Sequence, residues 1–141
     1  MINVKIEDPN LRPIKKHSTD AGWDLKSTEE HIIESGDKAT IHTGTYFEIP
    51  AGYVGMVYPR SGKACDEGLT LRNTVGIIDA DYRGEIIIKI KNNERFALHI
   101  AQYERFAQIV IVPVLLEELN VLSELTITKR GSSGFGDSGK I

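Results

Sequence analysis

Apolar and polar side chains alternate with period two over residues 40–49, 54–58, 85–91 and 96–100. Alternation of that kind puts one row of side chains on each face of a pleated strand, so each stretch predicts a short, half-buried β-strand. Turn-forming clusters separate them, Glu34-Ser35-Gly36-Asp37, Ile49-Pro50-Ala51-Gly52 and Lys91-Asn92-Asn93-Glu94. Their spacing belongs to sandwiches and barrels rather than to βαβ units. Residues 108–116 are apolar on both faces, the pattern of a strand covered on both sides, with other subunits as one possible cover. A single helical turn is predicted at residues 61–67.

Composition sharpens this picture in three ways. Isoleucine and valine number 18 and 8 against 10 leucines and 8 alanines, and β-branched side chains pack well on pleated sheets, so an all-β domain is favoured. The chain has 141 residues, enough for one domain. Its formal charge of −3 gives no basic surface for nucleic acid or anionic membrane, so attraction for an anionic ligand has to be local. No apolar run approaches the length of a membrane span, and the opening residues, Met1 to Pro9, lack the apolar block of a secretory signal. An intracellular, cytoplasmic location is therefore expected. Cys65 is the only cysteine, which rules out an intrachain disulfide and a cysteine-based zinc site.

The C-terminus breaks the pattern. Residues 131–139 hold four of the 13 glycines and little to bury, which predicts a flexible segment. The blander reading is a frayed end. Arg130 and Phe135 argue for a lid, because a guanidinium grips phosphate and a ring stacks on a base. The expected division is a β-rich domain over residues 1–129 and a lid over residues 130–141.

Three further stretches carry candidate chemistry. Tyr58-Pro59-Arg60-Ser61-Gly62 sets a guanidinium, a hydroxyl and backbone N–H groups where a strand meets a helical turn, an arrangement that suits phosphate oxygens but also occurs as a plain turn. Gly76-Ile77-Ile78-Asp79-Ala80-Asp81-Tyr82-Arg83-Gly84 puts two carboxylates at the end of an apolar stretch. There Asp79 is placed to accept a proton from water, and Asp81 reads as a turn residue with Arg83 as its salt-bridge partner. Asp20-Ala21-Gly22-Trp23-Asp24-Leu25 offers a carboxylate beside a glycine, for metal-bound water or a surface turn. The four histidines form no zinc spacing, and Ser61 has no paired base, which assigns it to binding.

With Arg105-Phe106-Ala107-Gln108 and Arg130-Gly131-Ser132-Ser133-Gly134-Phe135-Gly136, these stretches resemble the five ordered motifs of the homotrimeric dUTPases, and the resemblance spans essentially the whole chain. It implies a jelly-roll-like β-clip fold with one short helix and a flexible C-terminal arm. It implies a trimer whose sites are shared between three subunits, and hydrolysis of dUTP to dUMP and pyrophosphate with Mg²⁺ on the triphosphate. That reaction supplies dUMP for thymidylate synthesis and keeps uracil out of DNA. Asp79 then activates the attacking water, and Tyr82 lies under the deoxyribose. Asn73, Gly76, Ile77 and Ile78 read the uracil, with Ile87 also in the substrate-binding set. Arg60, Ser61, Gly62 and Gln108 hold the phosphate chain, and Asp24 reaches Mg²⁺ through water. Arg130 clamps the γ-phosphate as a catalytic group, while Phe135 stacks on the base and Ser132, Gly136 and Ser138 close over the nucleotide.

The chain departs from that pattern at Lys63, where an aliphatic residue is usual, and at Trp23. It departs again at Tyr103-Glu104, where Gly-Asp is common, and at Ser133 and Asp137 in the tail. Two other readings stand beside the hydrolase. A dCTP deaminase of the same fold would carry a catalytic glutamate five residues after Gly84, and that place is Lys89. A nucleotide-sensing module would use the fold to bind a regulatory protein.

Overall fold

The computed structural model describes residues 1–134 and is built from strands, with one five-residue helix. The strands are β1 (Asn3–Ile6), β2 (Gly22–Lys26), β3 (His31–Ile33), β4 (Lys38–His42), β5 (Thr45–Glu48) and β6 (Tyr53–Pro59). Helix α1 (Ser61–Cys65) follows, then β7 (Leu69–Leu71), β8 (Gly76–Ile78), β9 (Ile87–Asn92), β10 (Leu98–Ile100) and β11 (Arg105–Pro113). All pairing is antiparallel, in sheets ordered β1-β5, β10-β3, β2-β11-β6-β8 and β4-β9-β7. No paired strands are consecutive in the chain. Long-range pairing of this kind, not hairpins, makes the all-β, jelly-roll-like arrangement.

The period-two pattern is what buries the core. In β9 the even positions Ile88, Ile90 and Asn92 point inward and Ile87, Lys89 and Lys91 outward. Ile88 faces Ile41 of β4 across the ladder, and both are almost fully buried. They join Leu25, Val57, Leu69, Leu98, Ile100, Phe106 and Ile109 in one cluster, where each full burial of a large aliphatic or aromatic side chain is worth roughly 1.5–3 kcal/mol. Asn92 is the polar member of this interior. It donates to the carbonyls of Ile33 (2.9 Å) and Phe96 (2.7 Å) and accepts from the Glu94 N–H (2.9 Å), which closes the β9–β10 turn.

Residues 40–49, expected as one strand, are two. The chain turns at Gly44, whose φ of +58° carries it from the β4 sheet into the β5 sheet, and a Cβ there would stand 2.5 Å from Leu11 Cδ1. Residues 96–100 contribute only β10, because Phe96 is exposed while the Asn92 turn occupies its backbone. Strand β11 begins at Arg105 and stops at Pro113, so Leu115 and Leu116 lie beyond it and are exposed. Proline ends the ladder because it has no N–H to donate. From Val114 to Gly134 there is no strand or helix, and Leu119, Val121, Leu125 and Ile127 stand in solvent in the single chain. No helix among the described residues is long and apolar enough to cross a membrane.

Candidate active site

The first group of predicted site residues gathers around β8. This strand lies against β6, with Gly76 opposite Val57 and Ile78 opposite Gly55. A Cβ on Gly76 would sit 3.1 Å from Val57 Cβ, so a side chain there would press on the strand pairing, while the Asn73 amide lies at ordinary contact distance, 3.7 Å. Asn73 itself is presented by a tight turn in which Thr74 adopts a left-handed φ of 59°. For a β-branched residue that conformation costs on the order of 1–3 kcal/mol. After β8 the chain turns again, the Tyr82 N–H donating to the Asp79 carbonyl at 3.1 Å.

Asn73, Gly76, Ile77, Ile78, Asp79, Tyr82 and Ile87 line one cleft of about 520 Å³, whose apolar floor is Val57, Leu71, Ile86 and Ile88. Arg72, Glu85 and Lys89 add polar groups at its edge. The Tyr82 ring folds back over Gly84, and its hydroxyl donates to the Glu85 carbonyl at 3.0 Å. Asp79 is exposed and takes part in no salt bridge among the described residues. The expected Asp81–Arg83 bridge is absent from that set too. The Arg83 guanidinium donates to the Ala80 carbonyl at 2.7 Å and the Tyr82 carbonyl at 3.1 Å, so it stiffens the turn through the backbone.

The second group forms a separate cleft of about 390 Å³. Asp24 on β2 accepts from Arg60 Nε at 3.0 Å and from Arg105 on β11 at 3.1 Å, one guanidinium on each carboxylate oxygen. Arg60 also reaches the Arg105 carbonyl (3.1 Å), while Gln108 donates to the Pro59 carbonyl (3.3 Å). A side chain at Gly22 would crowd this closure, because a Cβ there would lie 2.9 Å from Gln108 Oε1 and 3.2 Å from the Ile109 carbonyl. Ser61 and Gly62 open α1, whose N-terminus no side chain caps, and both are exposed. Lys15, Lys16, Asp20 and His17 complete the lining. Lys15 stands 4.0 Å above the Trp23 ring, which gives the larger aromatic a cation to hold.

Among the described residues no three or more His, Cys, Asp or Glu side chains come close enough to hold a metal ion. Asp24 is already shared by two guanidiniums. The donor set therefore does not form a protein cage.

No described residue lines both clefts. Gly62 opens α1 beside Ser61 but lines neither cleft, and neither do Arg130 and Ser132. The latter two lie on the exposed arm, where Arg130 Nε donates to the Ser133 carbonyl at 3.0 Å. Phe135, Gly136 and Ser138 fall outside the described residues.

The two departures at Lys63 and Glu104 turn out to be one interaction. Lys63 is buried and donates to Glu104 (2.6 Å), Glu67 (2.7 Å) and the His99 carbonyl (3.1 Å). Burial pulls the Lys63 pKa down, but the Glu104 and Glu67 carboxylates outweigh it and hold the ammonium above its ordinary value. Burial likewise raises Glu104, and hydrogen bonds from Lys63 and the Ala101 N–H overcome it, so the carboxyl sits below its ordinary range.

The dUTPase family model matches residues 10–139. The chain belongs to the dUTPase family. It is 44% identical over 136 residues to the deoxyuridine 5'-triphosphate nucleotidohydrolase of Nautilia profundicola, covering 96% of each chain. To the corresponding protein of Corynebacterium diphtheriae it is 41% identical over 141 residues, covering 99% of this chain and 93% of the relative. Among solved structures it is similar to the dUTPase of Staphylococcus bacteriophage 80alpha, solved as a G164S mutant with dUpNHpp. The TM-score is 0.91 with 33% identity, over 99% of this chain and 98% of that one. The fold of the dUTPase family and the all-β reading of this sequence thus agree.

Arg105, Lys15 and Lys16 belong to the cation-rich cleft, and sequence reasoning gave them no role. Arg105 lay inside a quoted motif, and the signal that would have found it is its pairing with Asp24, 81 residues away.

Proposed function

We propose that this chain hydrolyses dUTP to dUMP and pyrophosphate, with the deoxyuridine in the β8 cleft and the phosphates in the Arg60 cleft. The observation that carries the reading is the β8 cleft. It pairs an apolar floor and the Asn73 amide with an exposed carboxylate, Asp79, that no salt bridge among the described residues occupies. A base unburdened by a cation can take a proton from water. Tyr82 at the cleft mouth supports a flat surface under the sugar, where a 2′-hydroxyl would clash. Asn73 and the β8 backbone supply the hydrogen-bonding edge that favours uracil, since a mismatched base leaves such groups unpaired.

In this mechanism Asp79 holds a water against the α-phosphorus and accepts its proton as the oxygen attacks. The bond from the α-phosphorus to the bridging oxygen breaks, and its electron pair leaves with pyrophosphate. Arg60, Ser61, Gly62 and Gln108 bind the phosphate oxygens, and Asp24 orients Arg60. Asp24 would hold, through water, a Mg²⁺ bound to the triphosphate, which would supply charge neutralisation there. Arg130 belongs on the γ-phosphate, Phe135 over the base, and Ser132, Gly136 and Ser138 around the phosphates, with residues 130–141 as the lid that excludes bulk water.

We also propose a homotrimer. The support is that the two clefts share no residue and that the arm carries Leu119, Leu125 and Ile127 almost fully exposed, surface that a folded chain seldom leaves to water.

The test is pyrophosphate release from dUTP, dCTP, dTTP and UTP side by side. Turnover confined to dUTP is expected, and Asp79→Asn should lower it by roughly 10²–10⁴, the contribution of a general base, with the fold intact by circular dichroism. Equal rates on all four nucleotides, or full activity in D79N, would refute the reading.

A further inference from the structure

We infer that Lys63 is a positioning residue for the phosphate cleft, acting through Glu104 on Arg105 and through α1 on Arg60. The inference rests on the proposal that the Arg60 cleft binds phosphate.

The ammonium of Lys63 has three protons and three acceptors, one on Glu67 just past the end of α1, one on the turn before β11 and one on β10. Glu104 is itself locked. Its second oxygen accepts from the Ala101 N–H (2.8 Å), its own N–H donates to the Ala101 carbonyl (3.0 Å), and its carbonyl accepts from Ser27 (3.0 Å). The neighbouring Tyr103 has a left-handed φ of 64° and is tied by its hydroxyl to Asp8 at 2.8 Å, so the turn has little freedom of its own.

Arg60 precedes Lys63 by three residues, and Arg105 follows Glu104 directly. Arg60 reaches the backbone of β11 through its NH1 to the Arg105 carbonyl and its N–H to the Phe106 carbonyl (3.2 Å). The Lys63–Glu104 pair is thus a second rivet between the same two segments. With both in place, the two guanidiniums converge on Asp24. A directional ion pair whose lysine is buried and whose carboxylate is half-buried sets the register of helix against turn in a way that an aliphatic contact does not.

The experiment measures binding of dUpNHpp and of deoxyuridine, which has no phosphate, to the wild type, K63M, E104Q, K63M/E104Q and R60A. K63M and E104Q should each weaken dUpNHpp roughly two- to thirtyfold, the range for residues that act through a network, and leave deoxyuridine unchanged. K63M/E104Q should bind dUpNHpp about as weakly as the weaker single variant, because either change alone already removes the pair, and wild-type affinity in the double variant would overturn the inference. If K63M does not fold, E104Q, which keeps the volume of the side chain, carries the same test. Equal weakening of both ligands would reduce Lys63 to a general stabiliser and overturn the inference. So would wild-type dUpNHpp affinity in K63M and E104Q while R60A loses it. Wild-type affinity in R60A would remove the phosphate assignment of the cleft, and the inference with it.

Discussion

Gly84→Ala tests whether the position of Tyr82 sets sugar discrimination. A Cβ on Gly84 would lie 2.5 Å from Tyr82 Cζ and 2.9 Å from Cε2, whereas ordinary contact begins at 3.4 Å. The ring has to retreat by about 0.9 Å or more for that contact to become normal. Such a shift breaks the 3.0 Å hydrogen bond from its hydroxyl to the Glu85 carbonyl. Tyr82 is 44% exposed and its far end is free to swing, so the loss of stability is small, roughly 0.5–1 kcal/mol for one partly solvated hydrogen bond. The functional loss is larger. Misplacing a contact surface by close to 1 Å costs on the order of 10²-fold in rate, so kcat/KM for dUTP should fall by roughly 10- to 100-fold, and the dUTP-to-UTP ratio should fall with it. The assay is pyrophosphate release on both nucleotides, with thermal unfolding as the control. Tyr82→Phe separates the two contributions, since it keeps the ring and deletes the hydroxyl, and it should retain most of the discrimination. A folded G84A that keeps its wild-type ratio of dUTP to UTP would refute the reasoning.

Two further outcomes follow from the charged groups. Asp24→Asn leaves Arg60 and Arg105 facing each other without a full counter-charge, so the unliganded protein should lose roughly 1–2 kcal/mol. Tripolyphosphate should restore more stability to the variant than to the wild type; no such difference by thermal unfolding would show that the cleft does not hold the anion. The Lys63–Glu104 pair predicts a pH dependence with an acid limb from Glu104 and an alkaline limb from Lys63. Glu104 titrates below its ordinary 4.5, so its contribution is present above 4.5 and is lost as pH falls through the lower folded value. Lys63 titrates above its ordinary 10.5, so its contribution is complete below 10.5 and goes only as pH rises past the higher folded value. Wild-type stability should therefore fall more steeply than that of K63M/E104Q as pH drops below 4.5. Parallel denaturation curves for the two would contradict the assignment.

What the sequence displayed was whatever repeats locally. Alternation over residues 85–91 announces β9 because every second side chain there enters the core, and the Asp79 turn is readable because its residues are neighbours. The break at Gly44 was hidden, since a glycine within an alternating run looks like any small residue until Leu11 is seen to fill the space of its Cβ. Lys63 and Glu104 were each visible as an odd residue, but their pairing joins a helix to a turn 41 positions on, and no local pattern encodes that. Asp24 shows the same limit. Its type fitted a metal-bound water, while its two guanidinium partners follow from β2, β11 and α1 meeting at one edge.

The net charge of −3 points away from a polyanion, yet the smaller cleft concentrates Lys15, Lys16, Arg60 and Arg105 against Asp20 and Asp24. Local excess of cations, not the overall sign, governs attraction at this range, because opposite charges across the molecule are screened within about 10 Å at ordinary ionic strength. Asp79 lines the other cleft, and no described residue bridges the two. In the proposed trimer, one dUTP that occupies both would take Asp79 from one chain and Arg60 from another. Mixed assemblies decide this. In a co-expressed one-to-one mixture of D79N and R60A, every chain carries one lesion. A site built within a single chain would then never be intact, while a site built between two chains would be intact in roughly a quarter of cases. Activity near a quarter of wild type is expected from the mixture, with each parent alone inactive. A mixture no more active than its parents would put both residues in the same chain's site and remove the ground for sharing.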